Sequence, residues 1–205
     1  MNKLYDYEIH PSARIGFSII LAKKCRMHRN SSIGHLTICK SIDRLEIGEN
    51  SGIGTRNFIT GFSTISSAVI KYGHFRHITN RKCELVIGNH VGITSRHYFD
   101  CNGGIYIGDY CQIAGFETAF LTHSIDLEKN RQDAAPIIIG PYSFVGTRVT
   151  LIKGAEIPAY SIVAACSMVN KKFTQEYSLY GGVPCRLIKV VKEYDFFKRN
   201  TGFVI

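Results

Sequence analysis

No two of the seven cysteines form a CxxC pair, and positions 25, 39, 83, 101, 111, 166 and 185 are odd in number and scattered. A disulfide framework and a thiolate zinc ribbon are thereby excluded, and reduced thiols are expected. No stretch approaches the roughly 18 uninterrupted apolar residues of a transmembrane span. The opening MNKLYDYEIHPSARIG also lacks the apolar region of a secretory signal. These absences predict a cytoplasmic protein without a membrane-spanning segment. What is present is a chain of 205 residues, 45% apolar and 20% charged, with a mean hydropathy of zero, the profile of one globular domain. A chain this long buries roughly 70% of the surface its unfolded form exposes, so a core needs no cross-links.

The net charge is +9 and is unevenly placed. Residues 71–82, KYGHFRHITNRK, carry Lys71, Arg76, Arg81 and Lys82 with no acid, and residues 171–199 carry seven bases against Glu176, Glu193 and Asp195. Charge gathered in two segments points to an anionic partner met at defined places.

The dominant pattern has a period of six. Aliphatic residues recur at Ile9, Ile15, Leu21, Met27 and Ile33, with Cys39 and Leu45 in phase, and after a slip of two come Ile47, Ile53, Ile59 and Ile65. A second block runs Ile87, Ile93, Phe99, Ile105, slips again to Ile107 and Ile113, and a third reads Ile139, Val145, Leu151, Ile157, Val163, Val169 without a miss. Gly often follows the aliphatic residue, and a small residue often stands four after it. Six fits neither helix nor simple alternation, but it fits a short strand followed by a sharp corner. Stacked coils of this kind make an all-β parallel β-helix with one inward side chain per hexad. We expect residues 1–170 to form it, with projecting loop insertions near 66–84 and 121–136. Residues 171–205 leave the repeat and are expected to be a C-terminal tail packed on the coils, where EYDFFKRN fits a short helix.

The hexads, the loop FLTHSID, the strand IIIGPYSFVG and the tail segment GGVPCRLIK together resemble the hexapeptide-repeat acyltransferases, in particular galactoside, maltose and polysaccharide O-acetyltransferases. The specific resemblance covers about residues 107–190. It implies a left-handed β-helix, a homotrimer, and acetyl-CoA as acyl donor in the groove between subunits, with no metal. His123 matches the catalytic histidine, a general base whose ordinary pKa near 6.5 suits that task. Thr147 matches the residue whose backbone N–H holds the oxyanion. Gly146, Ala164, Ala165 and Asn170 match positions along the pantetheine arm, Lys171, Arg186 and Lys189 match positions facing the phosphates, and Phe144 stands where relatives carry Trp. Asp100 and Asn102, one coil before the histidine, match residues that hold a sugar hydroxyl. Glu117, Asp126 and Glu128 are each placed to orient the imidazole, and sequence does not choose among them.

The helical segment that opens the galactoside and maltose enzymes has no counterpart here, which implies another saccharide acceptor, such as a surface polysaccharide or its lipid-linked precursor. The basic loop suits an acidic one. Three other readings stand beside this: N-acetylation of a nucleotide-linked amino sugar, a zinc protein like the gamma-class carbonic anhydrases, and a non-catalytic scaffold. The zinc reading lacks an HxxxxH pair, and no nucleic-acid motif accompanies the basic charge.

Overall fold

The computed structural model describes residues 5–202 and 204. The chain winds as a left-handed parallel β-helix with three faces. Face A runs from Asp6–Ile9 to Glu156–Ile157, face B from Arg14–Ile15 to Ser178–Gly181, and face C from Ile19–Leu21 to Met168–Val169. Every pairing within a face is parallel except the last on face B, where Arg186–Val190 turns back against Ser178–Gly181.

Coil length explains the hexads and their slips. Ile139 stacks on Ile157, a coil of three plain hexads. Met27 stacks on Ile47 and Ile87 on Ile107, coils longer by two. The added pair lengthens the face A strand so that it sends two side chains inward, Leu45 with Ile47 and Ile105 with Ile107, all fully buried or nearly so. A residue in every such row is withdrawn from water, stabilising by about 1.5–3 kcal/mol for each large aliphatic side chain. Four hexad positions behave otherwise, and two of them, Ile9 and Ile15, are exposed on the first coil of the described residues. Leu21 is 47% exposed because its neighbour Ile20 takes the inward place opposite Cys39, and Ile65 is 65% exposed because the chain has already left face C after Thr60.

The glycines after the aliphatic residues serve close approach rather than an unusual dihedral. A Cβ on Gly48 would lie 2.4 Å from the Gly88 carbonyl oxygen, and one on Gly140 would lie 2.4 Å from Ala159 N. Non-glycine residues with positive φ sit elsewhere, mostly on the corners between faces A and B and between faces B and C, and several at the A–B corner carry rings. His90, Tyr110, Tyr142, Tyr160 and Tyr177 stack there coil upon coil with centroids 4.6–5.3 Å apart. Some of the small residues four after an aliphatic residue bridge coils by hydroxyl: Ser51 donates to the Gly88 carbonyl at 2.7 Å and Ser143 to that of Pro158 at 2.9 Å.

The tail does pack on the coils. Its helix is a single 3-10 turn, Asp195–Lys198, which seats Phe197 against Tyr160 and Tyr177. Arg199 then reaches the Tyr110 carbonyl, and Gln112 donates to the Gly202 carbonyl at 2.8 Å. Both insertions project, with boundaries set by the faces. The first spans 61–83, contains one helical turn at Ser67–Ile70, and re-enters with Cys83 already buried. The second forms an antiparallel hairpin, His123–Asp126 with Arg131–Ala134. Both leave face C and return to face A, so they emerge at one corner, separated by the single coil that carries Asp100.

Leu151 and Leu21 provide a test of this register. Leu151→Ala, at a fully buried site, is expected to cost about 2–5 kcal/mol of unfolding free energy in urea titrations; Leu21→Ala should cost less than about 1 kcal/mol. Equal losses would refute the inward assignment.

His97 provides a second. It is 1% exposed, accepts the Thr118 N–H at Nδ1 (3.1 Å), and places Nε2 2.9 Å from Thr94 Oγ1. Burial pushes its pKa down to about 4. The unfolded chain takes up this proton near pH 6.5 and the folded chain only near 4, so the contribution is whole above pH 6.5 and is lost as pH falls toward 4. Unfolding free energy should therefore decline by up to about 1.4 kcal/mol per pH unit across that window, and His97→Gln should flatten the decline measured by urea titrations at several pH values.

Candidate active site

On face C the strand Tyr98–Asp100 lies directly beneath Ala119–Leu121, with Asp100 opposite Leu121. Two residues on, the chain turns outward, and Thr122 Oγ1 donates to the Asp100 carbonyl at 2.5 Å. This turn drops the His123 imidazole onto the Asp100 side chain. His123 donates its backbone N–H to Asp100 Oδ2 at 3.2 Å, and its Nδ1 meets the same oxygen in a short hydrogen bond. An acid on Nδ1 fixes that nitrogen as the N–H and leaves Nε2 with its lone pair. Nε2 has no partner among the described residues, and the side chain is 33% exposed.

The carboxylate is itself held. Asp100 Oδ1 accepts from the Asn102 amide at 2.5 Å and from the Asn102 backbone N–H at 3.3 Å. Asn102 Oδ1 accepts the Phe62 N–H at 2.7 Å, and Arg81 spans the two, donating to the carbonyls of Asn102 and Phe62 at 2.8 Å each. The Phe62 and Phe75 rings stand edge-on to the imidazole, with centroids at 6.2 and 6.3 Å. The basic loop thus roofs the histidine of its own chain.

These positions correct the sequence reading in three respects. Asp100 and Asn102, expected to meet the acceptor, are each 2% exposed and turn toward His123, because loops above and below their coil cover them. The acid on the imidazole is Asp100 and none of the three considered: Glu117 pairs with Arg148 at 3.0 Å, Asp126 lies 3.4 Å from Arg131, and Glu128 is exposed. Arg81, one of the charges ascribed to an anionic partner, is spent on two carbonyls. The sequence also missed Phe62, and offered Phe75 only as a ring of the basic loop; the 21-residue coil, which seats Asp100 under Leu121, was the signal available for the acid.

Thr147 and the cofactor positions occupy another corner, between faces B and C. Thr147 sits above Phe116, whose N–H it accepts at Oγ1 (3.1 Å), and its own N–H has no acceptor among the described residues. Gly146 lies there beside Ala164 and Ala165 of the next coil, where a Cβ on Gly146 would lie 2.8 Å from Ala165 N. Ala165 is exposed, and Arg186 and Lys189 are exposed without ion pairs among the described residues. Asn170 and Lys171 lie at the far end of face C, with the Lys171 ammonium 5.4 Å from the Phe173 ring centre. Phe144 is taken by the tail, its ring edge-on to Phe196 at 6.0 Å, because the tail returns along face B. From Phe116 to His123 the chain crosses the whole width of face C, roughly 20 Å for seven extended residues. One chain therefore does not bring His123 and Thr147 together.

Burial pushes the thiols of Cys25 and Cys111 up to about 11 and about 12, which disqualifies them as nucleophiles at neutral pH. Among the described residues, no three His, Cys, Asp or Glu side chains converge to hold a metal ion, and no helix is long and apolar enough to cross a membrane.

No protein-family model matches the chain. A Saccharomyces cerevisiae protein provisionally named an acetyltransferase is 34% identical over 81 residues, 38% of this chain and 41% of that protein. The crystal structure of a hexapeptide-repeat acetyltransferase from Vibrio cholerae aligns with 32% identity and a TM-score of 0.50, over 53% of this chain and 64% of that one. An N-acyltransferase from Bacillus cereus, solved in complex with dTDP and coenzyme A, has the same fold over 87% of this chain and 84% of its own, at 16% identity and a TM-score of 0.53. The chain thus spans less than two thirds of the length of both the yeast and the Vibrio relatives. Hexads that close into coils of 18 residues, some of them lengthened, give this chain the left-handed β-helix fold, and over about half of its length it is similar to a hexapeptide-repeat acetyltransferase.

Proposed function

We propose that this chain transfers an acetyl group from acetyl-CoA to a hydroxyl of a saccharide, at a site completed by two copies of the chain within a homotrimer in the cytoplasm. The observation that carries the reading is the imidazole of His123, held by Asp100 through Nδ1 and free at Nε2. Acetyl-CoA supplies an activated carbonyl on a good leaving group. The residues at the B–C corner fit such a donor: Gly146, Ala164 and Ala165 leave room beside the backbone, Thr147 offers an unclaimed N–H, and Arg186 and Lys189 offer unpaired charge to phosphates.

His123 Nε2 takes the proton of the acceptor hydroxyl as its oxygen bonds to the thioester carbon. Asp100 stabilises the imidazolium so formed. The Thr147 N–H of the adjoining copy donates to the oxyanion, a contribution of about 3–4 kcal/mol when preorganised. As the C–S bond breaks, the imidazolium returns the proton to the departing thiolate, which leaves as free coenzyme A. Placing His123 and Thr147 on different corners suits a three-fold assembly, in which one corner of each copy lies against a face of the next.

In acetyl-transfer assays, His123→Ala should lower kcat by about 10²-fold or more while calorimetry finds coenzyme A affinity unchanged. Asp100→Asn keeps the base but loses its tautomer anchor, so kcat should fall about tenfold or more with little change in KM. Full turnover in the histidine variant would dispose of the mechanism.

Sharing of the site is tested by mixing. Ala165→Trp should block the donor groove, and with His123→Ala each variant alone is inactive; co-assembled from equal amounts, they should recover about a quarter of wild-type activity, the fraction of interfaces that pair two intact halves. No recovery from mixed trimers would mean that each chain carries a whole site.

A further inference from the structure

The cleft between the basic loop and the histidine hairpin takes no part in the chemistry at His123. It holds about 520 Å³ and is walled by Tyr72, His74, Phe75 and Arg76 on one side and by Ile125 and Arg131 on the other. We propose that this cleft is a subsite for a carboxylate-bearing sugar residue of the acceptor, next to the residue that is acetylated. The inference rests on the acyl-transfer reading for the acceptor's identity, though the cleft's chemistry is its own.

Charge comes first. Arg76 is exposed and makes no ion pair among the described residues. The nearby acids are already committed, Asp126 to Arg131 at 3.4 Å and Asp133 to Lys153 and to His77 at 3.3 Å. The guanidinium of Arg76 is left to face solvent in a cleft that contains no free carboxylate. Polar demand comes next. His74 Nδ1 and Gln132 Oε1 are buried in the cleft wall without a hydrogen-bond partner. Buried groups left unpaired cost stability, and a side-chain rotation toward the cleft would let a ligand bearing hydroxyls satisfy both. Shape follows: Tyr72 is 67% and Ile125 55% exposed, so the cleft offers a ring and an aliphatic face to the apolar side of a sugar.

Location ties these features to catalysis. Ile125 is two residues from His123 along one strand, about 7 Å. The Phe75 ring lines the cleft and also stands 6.3 Å from the imidazole. A glycan with one residue at Nε2 would lay its neighbour in the cleft. Arg76 then pairs with the carboxylate while the orphaned atoms of His74 and Gln132 meet its hydroxyls.

The probes are trigalacturonic acid and its methyl ester, which keep one sugar and differ in charge, titrated calorimetrically into the full chain. The acid should bind about tenfold or more tightly than the ester, and the preference should shrink as salt is raised. Arg76→Glu, at an exposed site, should abolish the preference with an unchanged circular dichroism spectrum, and His123→Ala should retain it. Equal affinity for the two forms, no affinity for either, or tighter binding of an oligonucleotide or of phosphatidylglycerol vesicles would overturn the subsite. Coenzyme A titrated into the same samples separates the two readings: trigalacturonate binding without coenzyme A binding would sink acyl transfer and leave the subsite, and the reverse would sink the subsite alone.

Discussion

Everything in this molecule follows from the spacing of neighbouring strands, about 4.8 Å, repeated at every level of the stack. Each coil must approach the next closely enough for backbone pairing on three faces, and at the corners no atom can intrude. Gly48 and Gly140 are glycine because a methyl group there would collide with the backbone of the coil above. A pair of added residues can lengthen a strand, as on face A, but an insertion much longer than that must leave at a corner and return where it left. Both insertions use the C–A corner, separated by one coil that has no projecting loop, and what they sandwich is the turn from Asp100 to Gly103. The candidate site exists because that turn is roofed from two directions.

Roofing an aspartate is costly unless its charge is answered. An isolated buried carboxylate loses several kcal/mol of solvation, and the Asp100 side chain is only 3% exposed. Its two oxygens are met by the Asn102 amide and by the His123 ring and backbone N–H. Arg81 lends its charge at one remove, bridging carbonyls of the two segments that enclose the pair. The compensation for burying Asp100 is therefore also what sets the histidine's tautomer. The same bonds stabilise the corner and orient the imidazole, which is fixed before any ligand arrives.

The coil architecture was legible because it is periodic. Six-residue spacing survives any choice of aliphatic residue, and the third block, from Ile139 to Val169, keeps it without interruption. The slips of two were equally visible, although their meaning, a longer face A strand with two inward side chains, required the stack. His123 was legible through its flanking motif. Its acid was not, because Asp100 lies 23 residues earlier and reaches the histidine only through coil registry. The places of Phe62, Phe75 and Arg81 were hidden for a related reason: these residues belong to an insertion that obeys no repeat, so nothing in its sequence says which way it folds back. Leu21 failed where a one-residue shift between Ile20 and Leu21 costs the pattern nothing but reverses inside and outside.

Division of labour between coil and insertion has a thermodynamic basis. Residues that must hold a reacting atom within fractions of an ångström sit on strands paired on both sides, as Asp100 does. Residues that would choose a substrate sit on loops whose lengthening costs little, since closure entropy rises only as the logarithm of length. A loop such as 61–83 can therefore change composition while Asp100 and His123 stay in place, provided that it keeps the two carbonyl contacts of Arg81 and the two rings against the imidazole. That condition confines variation to residues such as Tyr72 and Arg76, on the outer side of the roof. The basic cluster in the sequence is thus two things at once: an inner half that completes the corner around His123, and an outer half that faces whatever approaches it.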